Sequence, residues 1–307
     1  MTATRLAGDV LEAEVRPERG AEICSLVHRP TGTELLFQAP WGVRDGDGFL
    51  GRYGGGWQEL FPSAGDQTTY RGRKIPFHGE VALLPWDCVA ADGELRCRVE
   101  CLATPFRLER TMRIVGARLV LDEEVTNLAD DDAHFVWGHH VVVGPPFLEA
   151  GCRLELPARA IVTVPEMWEE TARLEPGQRE PWPHGRLRSG GTADLREVPG
   201  AEVGSHDDVY LTDLEAGWAE VRNPRLGLGF RLEFDEALFR WIVSWQPYGG
   251  AHAPPLAGAY ALGLEPWTSR FPLGEAVAAG DAYVLGPGER LRTTLVARVT
   301  TEAEWRP

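Results

Sequence analysis

Alternation of apolar and polar residues over successive short segments is the feature that most constrains the fold of this chain. Residues 92–128 contain three such segments, ELRCRVECLA, FRLERTMRIV and ARLVLDEEVTN. A period of two places apolar side chains on one face of a strand and polar side chains on the other, as in an antiparallel sheet that is solvated on one side. Similar patterns return from residue 208 onward, without a repeat of fixed length. We therefore predict an all-β fold, with two large packed sheets.

The turn-forming residues agree with many short strands. The chain has 35 Gly and 23 Pro, and they follow no regular period. The segment 165–205 is polar, rich in proline and poorly periodic, yet the strand pattern resumes beyond it without a shift in composition. We predict a single domain over residues 1–307, with a long surface excursion around 165–205. The pattern alone does not separate this arrangement from two smaller sandwiches.

Charge excludes several classes of partner. The net charge of −15 and the absence of a long Lys/Arg run argue against binding to nucleic acid and to anionic membrane surfaces. No run of about 18 apolar residues is present, so we expect no membrane span. The N-terminal residues MTATRLAGDVLEAEV lack the pattern of a secretory signal.

The cysteines give an expectation about location. Five cysteines form no C-x-x-C pair, and their odd number does not suggest a disulfide framework. Cys97 and Cys101 fall on one face of a strand, where they are expected to fill the core. These features favour a reducing compartment, and we predict a cytoplasmic protein.

Two strand segments carry the candidate catalytic residues. In HFVWGHHVVV, alternation places His139 on one face and His140 on the other, and Gly138 precedes His140 by two positions. In YALGLEP, Glu265 shares a face with Ala261 and Gly263, which have small side chains. A titratable side chain that faces a ligand needs small neighbouring side chains, which leave space for the ligand. The same patterns also fit a solvent-exposed Glu265 and a histidine buried in the core.

Further polar signatures lie nearer the N-terminus. His78 belongs to IPFHGEV, where Gly79 frees the backbone, and Arg52 precedes a run of three glycines that lets backbone approach a ligand. Neither run matches a phosphate-binding loop. Adjacent strand residues point in opposite directions, so His139 and His140 do not readily bind one metal ion. We predict neither a metal nor a cofactor.

Taken together, these motifs resemble the aldose 1-epimerase (galactose mutarotase-like) family. The resemblance rests on FPSAG followed by IPFHGEVALLPWD, on WGHHVVVGPPF, on GLEPWTSRFP, and on the ending YVLGPGERLRTTLVARV. These segments occur in the order and spacing of that family and cover roughly residues 10–300. The resemblance implies a large antiparallel β-supersandwich.

The resemblance also implies roles for particular residues. It assigns the catalytic acid to His140 and the catalytic base to Glu265, with His78 hydrogen-bonded to the sugar. A sugar-binding aspartate falls in HDDVY, where we choose Asp207 over Asp208. The flat face of Trp267 is expected to pack against the sugar.

At the family's sugar-binding arginine this chain departs from the pattern. That position carries Gly65 and Asp66, so Arg52, Arg71 or Arg73 would have to replace the arginine.

The implied reaction is the interconversion of α and β anomers of a monosaccharide by general acid–base opening of the ring. The acid would be charged His140 and the base ionised Glu265, so the activity should be bell-shaped with pH. We expect a monomer or homodimer.

Three alternatives remain open. Arg71, Arg73 and Lys74 form a basic cluster near His78 that could hold the phosphate of a hexose phosphate. The same scaffold could also serve a non-catalytic sugar-binding protein. Hydrolysis of glycosidic bonds normally needs two carboxylates, and the sequence offers only one clear candidate outside its loops.

Overall fold

Two antiparallel sheets dominate the structure, a computed structural model that describes residues 3–166 and 169–305. One sheet has twelve strands and the other has eight. Three two-stranded sheets accompany them in the described parts of the chain. The prediction of an all-β fold with two large sheets is therefore confirmed.

The larger sheet runs in the order β1-β2-β3-β5-β13-β24-β22-β19-β15-β16, with β4 paired to β3 and β23 paired to β13. Its strands are β1 (Thr4–Ala7), β2 (Leu11–Arg16), β3 (Glu22–His28), β4 (Thr33–Glu34), β5 (Trp57–Leu60), β13 (Gly138–Val143), β15 (Ala160–Thr163), β16 (Arg179–Pro181), β19 (Ser205–Thr212), β22 (Trp241–Tyr248), β23 (Leu262–Gly263) and β24 (Glu265–Trp267).

The smaller sheet runs in the order β14-β20-β21-β26-β11-β10-β9-β8. Its strands are β8 (Asp87–Ala91), β9 (Glu94–Glu100), β10 (Phe106–Val115), β11 (Arg118–Asn127), β14 (Arg153–Glu155), β20 (Trp218–Asn223), β21 (Leu228–Glu233) and β26 (Arg290–Thr301). The two-stranded sheets pair β6 (Thr68–Tyr70) with β7 (Arg73–Ile75), β12 (Ala133–Phe135) with β25 (Tyr283–Leu285), and β17 (His184–Arg186) with β18 (Thr192–Asp194).

Helical structure is short in the described residues. The α-helices are α1 (Gly48–Arg52) and α2 (Leu273–Ala279). Single 3-10 turns cover Pro17–Arg19, Val81–Leu83, Ala201–Val203 and Glu302–Glu304. None of the described helices is long and apolar enough to cross a membrane.

The smaller sheet shows the alternation that its sequence predicts. Along β10, Phe106, Leu108, Arg110 and Met112 are buried, and the residues between them are partly exposed. The apolar members of this set belong to the main core, which fills the space between the two sheets. The other charged side chains of β10, Arg107, Glu109 and Arg113, alternate with this set and are partly exposed.

The middle of the larger sheet is buried on both faces. Every residue of β5, β13 and β24 is buried. Trp137 and Val141 belong to the core between the sheets, whereas Val136 and Val142 belong to a second core on the opposite face. The alternation predicted for this segment therefore holds, and it places His139 and His140 on opposite sides of one sheet.

The segment 165–205 is less of a surface loop than its composition predicts. Strand β16 pairs with β15 and extends the larger sheet, and β17 and β18 form a hairpin. Leu174, Leu195 and Val198 are buried in the main core. Periodicity is weak here because the strands have only three residues each.

The cysteine prediction is wrong for one pair. Cys88 and Cys97 lie opposite each other on β8 and β9 and form a disulfide that was not expected, although Cys97 is buried in the main core as predicted. The partner of Cys97 lies on a neighbouring strand, which no motif in the sequence indicates. Cys24, Cys101 and Cys152 are free thiols.

Candidate active site

A cavity of about 580 Å³ lies against the second core, on the face of the larger sheet that carries His140. Strands β13, β19, β22 and β24 supply its floor. Residues from 49–53, 65–66, 77–78, 164–166 and 270–275 form its walls. Cavities of this size suit small-molecule ligands.

His140 and Glu265 meet in this cavity from adjacent strands. Gly138 of β13 pairs with Trp267 of β24, which brings the two strands side by side. The Nε2 atom of His140 lies 3.7 Å from Oε1 of Glu265. Both side chains are buried, at 8% and 2% exposure. The structure therefore places an imidazole and a carboxyl group beside one space that a ligand can enter.

Two glycines make room for this pair. A Cβ atom on Gly263 would lie 2.6 Å from Oε1 of Glu265, and one on Gly138 would lie 2.9 Å from the indole of Trp267. Real Cβ atoms do not approach other heavy atoms so closely, so any larger residue would displace Glu265 or Trp267. The small residues that the sequence places around His140 and Glu265 thus have a steric reason.

Burial sets the protonation of the pair. It raises the pKa of Glu265 well above its usual value, and the nearby charge of Asp208 adds to this effect. The Trp267 indole acts weakly in the opposite direction. Burial also lowers the pKa of His140 to about 3. Burial therefore favours the uncharged forms of both groups, protonated Glu265 and neutral His140, whereas the sequence led us to expect the ionised pair.

His78 lines the same cavity. Its ring centroid lies 5.5 Å from that of His140, and its Nδ1 accepts a hydrogen bond of 3.0 Å from the backbone N–H of Gly65. Burial lowers the pKa of His78 well below its usual value, and His140 contributes to the shift. A neutral imidazole that accepts at Nδ1 carries its proton on Nε2. His78 can therefore donate one hydrogen bond to a ligand oxygen.

Aromatic side chains form much of the cavity wall. The Trp267 ring lies 5.8 Å from His78 and 6.3 Å from Tyr210. Tyr53 lies 5.1 Å and Trp245 lies 5.9 Å from the ring of His140. Of these, the sequence singled out only Trp267 as a ligand contact. Tyr53 and Tyr210 belong to segments that the sequence analysis singled out for Arg52 and Asp207, but the rings themselves were not proposed as ligand contacts.

Asp207 does not line the cavity, so this site assignment is corrected. Its carboxylate is fully buried and accepts hydrogen bonds from the backbone N–H groups of Arg173 and Leu174, both at 2.9 Å. It also accepts one of 3.0 Å from Nε of Arg173. Asp208, which follows it on β19 and points to the other face, lines the cavity instead. Which of the two aspartates reaches the cavity depends on which face of β19 is turned toward it, and the sequence pattern does not predict that face.

The assignments of Arg52 and Arg71 are also corrected. Arg52 donates a hydrogen bond of 3.0 Å to the carbonyl of Leu83 and lies outside the cavity. Arg71 lies in the turn between β6 and β7 and pairs with Asp131 at 2.9 Å. Its side chain is 44% exposed. Both arginines are near the motif in sequence, but their long side chains have partners elsewhere.

The arginine that reaches the cavity is Arg270. Its guanidinium lies 4.4 Å from the ring centroid of Phe271 and 5.7 Å from that of Trp241. Sequence reasoning missed Arg270, although it lies within the motif GLEPWTSRFP, five residues after Glu265. It also missed three other acidic side chains of the cavity wall, Asp66, Glu166 and Glu275.

His139 belongs to a separate cluster behind the cavity. Its Nε2 lies 3.2 Å from Glu123 and its Nδ1 lies 3.5 Å from Glu59. Arg110 bonds to both glutamates, at 2.7 Å to Glu123. Glu59, Glu123 and His139 are close enough to hold a metal ion, but the guanidinium of Arg110 already bonds to both carboxylates. All four side chains are at most 3% exposed.

Comparison with known proteins shows the family to which this chain belongs. A family profile described as "Domain of unknown function (DUF4432)" matches residues 2–299. The chain belongs to this family. A search of curated proteins found no match.

Solved structures place this DUF4432 chain in a wider fold group. The Slr1438 protein from Synechocystis is 21% identical, with a TM-score of 0.74 over 98% of this chain and 96% of that chain. A galactose mutarotase-like protein from Lactobacillus casei is 18% identical, with a TM-score of 0.68 over 97% and 100%. An aldose epimerase homologue from C. elegans is 13% identical, with a TM-score of 0.65 over 97% and 98%. The fold is therefore galactose mutarotase-like, as the sequence motifs predicted.

Proposed function

We propose that this protein is an aldose 1-epimerase that interconverts the α and β anomers of a monosaccharide. The observation that carries the proposal is the buried pair of His140 and Glu265, 3.7 Å apart at the wall of a cavity of about 580 Å³. Opening a sugar ring requires one group that donates a proton and one that accepts a proton. This pair supplies both.

The chemistry needs one proton shared between the two residues. Ring opening breaks the bond from C1 to the ring oxygen, forms the C1 carbonyl, moves the hydroxyl proton of C1 to the base and delivers a proton to the ring oxygen. After rotation at C1, closure on the other face reverses these transfers. With the proton on Glu265, as burial favours in the empty cavity, Glu265 acts first as the acid and His140 as the base.

The neighbouring side chains would position the sugar. His78 has one Nε2–H to donate to a sugar oxygen, because its Nδ1 already accepts from the backbone of Gly65. Trp267 presents an indole that can pack against the C–H face of a pyranose. Arg270 and Asp208 supply further polar groups for the hydroxyls.

The pH dependence follows from the shared proton. The pair loses function when both groups are protonated and when neither is. The acid limb of kcat/KM should therefore reflect protonation of His140, whose pKa is about 3. The alkaline limb should reflect loss of the proton of Glu265, whose pKa burial raises.

The basic cluster that suggested a hexose phosphate as the substrate lies away from the cavity. Arg71, Arg73 and Lys74 lie in the hairpin of β6 and β7, where their side chains are exposed and line no part of the cavity. A non-catalytic binding protein would not need a buried proton donor and acceptor so close together. Hydrolysis of a glycoside remains an outcome that the test below can report.

The test measures anomeric exchange directly. Wild type and Glu265→Gln are added to freshly dissolved α-glucose and α-galactose, and the rate is followed by polarimetry after subtraction of the spontaneous rate. We expect catalysis by wild type and a loss of about 10²–10⁴-fold in the variant, the usual contribution of a positioned acid or base. Saturation-transfer NMR checks that the variant still binds sugar. Equal rates for both proteins, or release of nitrophenol from nitrophenyl glycosides without anomerisation, would reject the proposal.

A further inference from the structure

The charged groups of the cavity wall are unbalanced. Asp66, Glu166, Asp208 and Glu275 line the cavity, and among the described residues Arg270 is the only cation that does so. Asp66 and Glu275 form no ion pair in the described part of the chain. Arg270 contacts aromatic rings rather than a carboxylate, so it does not cancel either of these charges at short range.

Aromatic rings make up much of the remaining lining. Trp245, Trp267, Tyr53 and Tyr210 line the cavity. The face of an aromatic ring attracts cations, whereas its edge carries positive potential, so the rings by themselves do not decide the sign of the ligand charge. The carboxylates do: a bound anion would meet four of them, and Arg270 would be its only cationic partner among the described residues.

A buried polar pair lies beside these charges. His140 and Glu265 both line the cavity, and their nearest side-chain atoms are 3.7 Å apart, too far for a hydrogen bond. A polar ligand in the cavity would bring hydrogen-bonding groups to this pair.

We propose that the cavity selects aldoses by charge: it favours aldoses bearing a protonated amino group over neutral aldoses, and neutral aldoses over uronates and sugar phosphates. The proposal rests on the proposed function and narrows its substrate class. At physiological ionic strength charges interact over roughly 8 Å, so all the carboxylates of the cavity act on a ligand within it. Each unit of ligand charge should change kcat/KM by about tenfold at low salt.

The test compares sugars that share one ring and differ in charge: glucosamine at pH 6.5, glucose, glucuronate and glucose 6-phosphate. Anomeric exchange is measured by NMR in 25 mM and 500 mM salt, with spontaneous rates subtracted. We expect kcat/KM to be about 100-fold higher for glucosamine than for glucuronate at low salt, and the ratio to fall below about tenfold at high salt. Turnover of glucuronate or glucose 6-phosphate equal to that of glucose would overturn the proposal.

Variants identify the groups responsible. Asp66→Asn combined with Glu275→Gln should lower the glucosamine-to-glucuronate ratio about tenfold, because two carboxylates of the cavity wall lose their charge. The matched control is Asp92→Asn combined with Glu109→Gln, which removes the same charge from residues outside this cavity. An equal effect of both double variants would show that net charge, rather than the cavity, sets the preference.

Failure of this proposal is distinguishable from failure of the proposed function. If no sugar is anomerised, the proposed function is rejected, and the charge rule is then scored by saturation-transfer NMR of the same four sugars. Binding of glucosamine and glucose in preference to the two anions supports the rule. Equal or preferential binding of the anions, or no binding of any of the four, overturns it.

Discussion

Removal of the Arg110 side chain should destabilise the fold more than removal of an exposed arginine on the same strand. Its guanidinium is 1% exposed and bonds to Glu59, to Glu123 at 2.7 Å and to the carbonyl of Ala21 at 3.2 Å. Replacement by methionine keeps much of the volume but leaves two buried carboxylates beside His139, whose pKa burial lowers, so that its imidazole carries no compensating charge at pH 8. Breaking a buried ion pair in this way typically costs about 3–5 kcal/mol. We expect a loss of that size in the free energy of unfolding of Arg110→Met at pH 8.

The pH dependence of this loss gives it a signature. Burial disfavours the charged form of Glu123, but His139 and Arg110 together lower its pKa in the native protein. Without Arg110 the burial effect should prevail and raise that pKa. When the native pKa of a carboxyl group is raised, the unfolded state loses its proton at a lower pH than the native state does. The free energy of unfolding therefore falls as the pH rises above about 4.5, the pKa of the unfolded carboxyl group. The deficit of Arg110→Met should therefore be smaller at pH 5 than at pH 8.

Urea unfolding followed by tryptophan fluorescence measures both effects. The control is Arg113→Met on the same strand, where the side chain is 33% exposed and pairs with Asp122. Exposed pairs contribute about 0–1 kcal/mol, so this variant should change little. A loss below 1 kcal/mol in Arg110→Met at pH 8, or a deficit that does not change with pH, would refute the account of the buried cluster.

The remaining predictions concern the cavity and its supports. As the pH falls from 8 to 5, the stability of His140→Asn should rise by about 2 kcal/mol relative to wild type. In wild type the unfolded histidine takes up a proton below about pH 6.5, whereas native His140, with a pKa of about 3, does not, so wild type loses stability over this range. Urea unfolding that gives the same difference between the two proteins at both pH values would contradict this. Asp207→Ala should lose about 2–4 kcal/mol and lose amide protection at residues 173–174, whose N–H groups it orphans; hydrogen exchange unchanged from wild type would show that Asp207 does not hold this segment. Arg71→Ala should leave the rate of anomerisation within twofold of wild type, because Arg71 is exposed and pairs with Asp131 rather than reaching the cavity. A tenfold loss measured by polarimetry would show that Arg71 does contact the sugar.

Local pattern was enough to predict much of the fold. A period of two identified β9, β10 and β11 of the smaller sheet, and it placed His139 and His140 on opposite faces of β13. The small residues near Glu265 and His140 were also informative, because Gly138 and Gly263 must lack a side chain there. These inferences succeed because strand geometry is decided by neighbours in sequence.

The errors share a different origin. Asp207 and Asp208 are adjacent, and only the register of β19 against β22 decides which one reaches the cavity. Arg52 and Arg71 lie close to the motif in sequence, but side-chain partners distant in sequence hold them elsewhere. The protonation of His140 and Glu265 depends on how deeply the completed fold buries them. Each of these properties is decided by contacts between distant segments.

The central claim is that His140 and Glu265 act together on one sugar carbon. A double-mutant cycle of His140→Asn, Glu265→Gln and the combined variant, with kcat measured as anomeric exchange by NMR, tests it most directly. Groups that work as one unit give strongly non-additive losses, so the combined variant should be about as slow as either single variant. Losses that multiply in the combined variant would mean that the two residues act independently, and would contradict the account.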